Sequence, residues 1–100
     1  MQTLARLQQW YESYCDGDWD HGYGVSITTL DNPGWRVTIN LAGTALEDQP
    51  FVTINDLEPE RDWIRCWVEA NTFHGAGGPH KLADILEVFL NWADKAKNAA

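Results

Sequence analysis

The sequence predicts an α+β fold: a four-stranded antiparallel meander sheet with an N-terminal and a C-terminal helix packed on one face, in the order αββββα. Apolar residues recur at helical spacing near both ends of the chain, and apolar and polar residues alternate in the middle. Short polar links between successive strands favour the meander. One hundred residues suffice for one hydrophobic core, so we expect residues 1–100 to form a single domain.

The first helix is predicted over residues 3–13. Its apolar residues lie three or four positions apart and would share one face: Leu4, Leu7, Tyr11 and Tyr14, with Trp10 beside them. The Gly and Asp residues from 16 to 24 are turn formers, so they are expected to end this helix in a loop.

A β-hairpin follows the loop. Residues 24–30, GVSITTL, and residues 35–41, WRVTINL, both alternate apolar with polar side chains, which is the period of a half-buried strand. The link DNPG places Pro33 before Gly34, the order that a type II turn prefers, because Pro fixes φ and Gly accepts a positive φ.

The remaining elements are two strands and a helix. Residues 51–55 predict a short third strand, and residues 62–70 a fourth. In FHGAGGPHK, residues 73–81, three glycines precede Pro79, which predicts a strand-to-helix turn with positive φ and Pro79 in the first helical turn. The helix then has one apolar face: Leu82, Ile85, Leu86, Phe89, Trp92, Ala93 and Ala96.

If both helices cover one face of the sheet, the opposite face is open, and most of its predicted residues are polar: Ser26, Thr28, Arg36, Thr38, Asn40, Thr53 and Asn55. The fourth strand breaks this pattern. With Ile64, Cys66 and Val68 in the core, the open face receives Trp63, Arg65, Trp67 and Glu69. Trp and Arg are enriched at protein interfaces, which favours a contact surface; alternatively a loop, a terminus or a slipped register buries the two indoles.

Charge narrows the class of partner. Fifteen acidic and seven basic residues give a net charge of −8. Such a chain repels nucleic acid and anionic membranes and attracts a basic protein, although acidity can also serve solubility alone. The sequence has no apolar run near the roughly 20 residues that span a bilayer, and no secretory signal at its start, so we expect a cytoplasmic protein.

The stretch CDGDWDHGYG, residues 15–24, alternates three aspartates as a calcium loop does. A calcium loop that begins at Asp16 needs Gly at position 6 and Glu at position 12, where this chain has His21 and Ile27. The spacings of Cys15, His21, Cys66 and His74 match no common zinc site. We therefore expect neither metal nor cofactor.

Catalysis is also not expected, because neither serine lies in a nucleophile elbow and Cys66 is assigned to the core. We interpret the aspartate stretch as a turn and partner-binding element near the Trp63–Trp67 face. The predicted partner-binding residues are Asp16, Asp18, Trp19, Asp20, His21, Trp63, Arg65 and Trp67. A small enzyme or metal protein that uses Asp16, Asp18, Asp20 and His21 is the alternative.

Several motifs, most of them between residues 7 and 47, resemble the immunity protein 53 family of bacterial polymorphic toxin systems. They are CDGDWDH, the YGV strand entry, TLDNPGW and LAGT, followed later by WIRC, FHGAGGP and FLNWA. The resemblance implies a small cytoplasmic antidote, encoded beside a toxin, that blocks the toxin's C-terminal domain by occlusion and without catalytic residues. The acidic charge fits a basic toxin such as a nuclease. An acidic adaptor for another protein is the remaining alternative.

Overall fold

The computed structural model describes residues 2–14, 24–31, 33–57 and 63–99, and within them the chain forms two helices and one five-stranded sheet. The elements are α1 Gln2–Glu12, β1 Val25–Leu30, β2 Gly34–Asn40, β3 Ile54–Asp56, β4 Ile64–Glu69, β5 Thr72–Gly77 and α2 Leu82–Ala99. All neighbouring strands are antiparallel, in the order β1-β2-β5-β4-β3. Residues of both helices join the same core, which confirms the α+β class with terminal helices.

The fifth strand corrects the predicted meander. β5 occupies the segment that we interpreted as a loop, and it lies between β2 and β4, so β2 does not neighbour β3. A two-residue turn joins β4 to β5, with Ala70 and Asn71 at φ of 52° and 56°. Two positive φ values are typical of a type I′ hairpin. Because Ala is not favoured at positive φ and β5 is rich in Gly, the sequence signal for this hairpin is weak.

The glycines of β5 provide space for α2 and not the positive φ that we predicted. Neither Gly75 nor Gly77 has a φ in the left-handed region. A Cβ atom at Gly75 would lie 2.3 Å from Cγ2 of Ile85, and one at Gly77 would lie 2.8 Å from Cβ of Lys81. The missing side chains therefore let α2 approach the central strand.

A close approach also explains Gly34, and the predicted type II turn is wrong at this position. Gly34 is an extended residue of β2 without a positive φ. A Cβ atom there would lie 2.3 Å from the carbonyl oxygen of Gly77 on the neighbouring strand. The β1–β2 hairpin itself is confirmed, with Leu30 paired to Gly34 and Val25 to Ile39.

The core confirms the predicted apolar face of α2 and corrects that of α1. Every predicted face residue of α2 is in the core or packed against it. In α1, Thr3 and Leu7 are buried, whereas Leu4 and Tyr11 are 48% and 39% exposed. The face is rotated because Trp10 packs edge-on against Phe89 of α2, with ring centroids 4.8 Å apart.

Candidate partner-binding face

The face of the sheet opposite the helices, here called the open face, is built by strand register. One row of paired residues crosses all five strands: Thr28, Arg36, Ala76, Arg65 and Asn55. The next row contains Ser26, Thr38, His74 and Trp67. Because side chains alternate across a strand, both rows lie on the same face, while Cys66 and Val37 lie in the core.

Four side chains of these rows form one group, here called the Trp67 cluster: Arg36, Arg65, Trp67 and His74. The His74 ring stacks on the Trp67 ring at 5.1 Å between centroids and 11° between planes. The guanidinium carbons of Arg65 and Arg36 lie 4.5 and 5.6 Å from the Trp67 centroid. Cation–π contacts of this kind contribute about 0.5–1 kcal/mol each when partly solvated, so they help to hold the cluster in place.

The small side chain of Ala76 explains why both arginines can approach Trp67. It lies on the central strand β5, directly between Arg36 and Arg65, and only 8% of it is exposed. A methyl group takes little space on this face, where both guanidinium groups lie near the Trp67 ring. The indole is half-buried, and the pairing of Trp67 with His74 rules out the slipped register.

His74 links the cluster to β2. Its Nδ1 lies 3.4 Å from Nη2 of Arg36, a hydrogen bond in which the guanidinium donates and a neutral imidazole accepts. Burial lowers the pKa of His74, the Arg36 charge lowers it further, and Glu69 opposes both. Since its pKa is below the ordinary value of about 6.5, His74 is neutral at pH 7 and can accept this bond.

The two arginines have no carboxylate partner among the described residues. The ion pairs in this part of the chain are Arg6–Asp94 at 2.7 Å and Lys81–Asp84 at 3.6 Å. In addition, Nε of Arg36 is buried and has no hydrogen-bond partner within the described ranges. Two guanidinium groups on one face thus lack a carboxylate partner within the described ranges, in a chain of net charge −8.

The predicted partner-binding residues fall into two sets. Trp63, Arg65 and Trp67 are described, and Trp63, immediately before β4, is half-buried. The others lie outside the described residues: Asp16, Asp18, Trp19, Asp20 and His21.

Sequence reasoning missed Arg36 and His74 as members of the site. Arg36 was assigned to the open face but not to a cluster, and His74 was assigned to a loop. The alternation of Phe73, Gly75 and Gly77 with His74 and Ala76 is the signal that could have placed His74 on a strand.

The described residues give little support to a reactive cysteine, a metal site or a membrane-spanning helix. Cys66 is fully buried, and burial raises the pKa of its thiol to about 12, so it is a poor nucleophile. Among the described residues, no group of three or more His, Cys, Asp or Glu side chains could hold a metal ion. In the same part of the chain, no helix has the length and apolarity that crossing a membrane requires.

A family model described as "Immunity protein 53" matches residues 4–94, which is nearly the whole chain. No curated protein and no solved structure matches the chain.

Proposed function

The chain belongs to the immunity protein 53 family, and we propose that it binds a cognate toxin domain and neutralises it by occlusion. The family match carries this proposal, because immunity proteins protect a cell by binding a toxin protein. The toxin domain is proposed to be the C-terminal domain of a polymorphic toxin. Catalysis is not needed for this function.

The open face is the proposed contact surface. Trp and Arg are the residue types most enriched at the energetic centres of protein interfaces, and the Trp67 cluster presents one Trp and two Arg side chains that are already ordered by stacking. Prior ordering supports tight binding, because less side-chain entropy is lost when the partner docks. Trp63 and the aspartate stretch of residues 16–21 are proposed to extend this surface.

The proposed toxin domain is basic, as a nuclease that binds phosphates would be. A net charge of −8 attracts a basic domain over long distances and increases the association rate. A basic cleft lined with Lys and Arg would then be covered by the acidic chain, which supports occlusion of the substrate.

The experiment is co-expression of this chain with the toxin domain encoded by the adjacent gene. We expect growth of cells that the toxin domain alone kills, and a stable complex of the two purified proteins. The association rate should fall as salt rises from 0.1 to 1 M, since the Debye length shrinks from about 10 Å to about 3 Å. Continued killing with no complex would contradict the function, and a salt-independent rate would contradict the basic partner.

A further inference from the structure

The Trp67 cluster has a local charge opposite to that of the whole chain. Arg36 and Arg65 approach the same indole, and neither has a carboxylate within ion-pair distance among the described residues. Both positive charges lie near one ring, at 5.6 and 4.5 Å from its centroid, and like charges repel each other. An acidic chain has many carboxylates that could neutralise them, yet in its described part the arginines are paired with rings instead.

Most donors of these two arginines have no acceptor in the described part of the chain. A guanidinium has five N–H donors in a fixed fork. In Arg36, Nη2 contacts His74 and the buried Nε lacks an acceptor within the described ranges. Arg65 is exposed, its guanidinium carbon lies over the Trp67 ring, and within the described ranges no ion pair occupies its N–H donors.

From this geometry we infer that the Trp67 cluster binds an Asp or Glu side chain of the toxin domain, with Arg65 and Arg36 donating to the carboxylate and Trp67 packing against its neighbours. This inference rests on the proposed function and names the chemistry of its contact. Arginine forks match carboxylates bidentately, and charge-assisted bonds of this kind are stronger than neutral ones. The carboxylate would accept hydrogen bonds from both guanidinium groups and offset part of their positive charge.

A single carboxylate on a basic domain fits better than a polyanion. Nucleic acid would meet the repulsion of the whole −8 chain, and its affinity depends on many phosphate contacts. A mainly basic protein with one acidic side chain at this position would be attracted by the net charge of the chain, and its carboxylate would be bound by the two arginines. The acidic surface of the chain would then increase the association rate, while the arginines would select the partner by requiring a carboxylate opposite them.

The test uses the full chain and the toxin domain encoded by the adjacent gene. Arg65→Gln should weaken binding by at least about tenfold, as loss of one member of a desolvated charge pair does. Arg65→Lys should restore it only in part, because an ammonium cannot form the bidentate contact. Lys95→Gln, a neutralisation of an exposed cation on the helix side, is the matched control and should leave Kd within about twofold.

A charge-swap selection identifies the partner residue. Arg65→Glu should abolish neutralisation of the toxin domain. Toxin variants that the Arg65→Glu chain neutralises again should carry a neutral or basic residue in place of an Asp or Glu. These toxin variants should still kill cells that lack this chain. Neutralisation by Arg65→Glu equal to wild type, or suppressors that change no acidic residue, would overturn the inference and leave the proposed function intact. Failure of the wild-type chain itself to neutralise would overturn both.

Discussion

Replacing Gly75 with alanine should destabilise the protein, because the helix side of β5 has no room for one methyl group. The new Cβ atom would lie 2.3 Å from Cγ2 of Ile85 and 3.4 Å from Cε2 of Phe73. Carbon atoms in contact are normally about 3.5–4.0 Å apart, so α2 and β5 would have to separate by about 1 Å. Ile85 and Phe73 are both fully buried and cannot swing away into solvent.

Overpacking of this size costs about 1–3 kcal/mol of unfolding free energy. For a domain of this length, each kcal/mol lowers the Tm by roughly 4–8 °C. Urea unfolding followed by tryptophan fluorescence should show a lower midpoint with an unchanged m-value, because the native state remains compact.

A double-mutant cycle provides the control. Ile85→Ala removes the clashing Cγ2 atom and alone should cost about 2–5 kcal/mol through the cavity that it creates. The added methyl group of Gly75→Ala partly fills that cavity, so the double variant should be clearly more stable than the sum of the single losses predicts. Additive losses, or a Gly75→Ala variant as stable as wild type, would refute the close packing of α2 on β5.

Three further predictions concern the core, the cluster and metal. Ile39→Ala should lower the unfolding free energy measured in urea by about 2–5 kcal/mol, because Ile39 is fully buried. Thr38→Ala should lower it much less, because Thr38 is on the open face. Equal losses from the two variants would show that the faces are misassigned. Because the pKa of His74 is lowered in the folded state, acidification protonates its imidazole in the unfolded chain first. The free energy of unfolding should therefore fall as pH drops below about 6.5. The His74→Gln variant should lose less stability over the same pH range. Equal pH slopes for wild type and variant would contradict the neutral His74 in its bond to Arg36. Chelation should leave the Tm unchanged, and a drop reversed by one particular ion would instead support a metal site.

The periodicity of apolar residues was sufficient to predict several elements of the fold. The apolar face of α2, the β1–β2 hairpin and the core position of Cys66 all follow from alternation or helical spacing that packing reinforces. The orientation of α1 was predicted less well, because Leu4 and Tyr11 have the spacing of a core face but lie beside it. Contact with α2, which sequence alone does not reveal, decides that rotation.

The centre of the sheet could not be predicted by the same rules. Propensity favours Gly in turns, whereas Gly75 and Gly77 are in a strand because a helix lies too close for any side chain. The turn at Ala70 and Asn71 lacks the Gly that usually marks a type I′ hairpin. Because β5 was not predicted as a strand, His74 could not be placed opposite Trp67. The Trp67 cluster was therefore not predicted, although Arg65 and Trp67 were expected to share the open face.

The most direct test of the open face as the toxin-binding surface is the Kd of the Trp67→Ala variant for the toxin domain encoded by the adjacent gene. Truncation of a central anchor should cost about 2 kcal/mol or more, or roughly 30-fold in Kd, mainly through faster dissociation. Gln8→Ala, on the exposed surface of α1, should bind as wild type does, and unfolding curves should show that both variants are folded. A folded Trp67→Ala variant that binds and neutralises the toxin domain with unchanged rates would contradict the assignment of the open face.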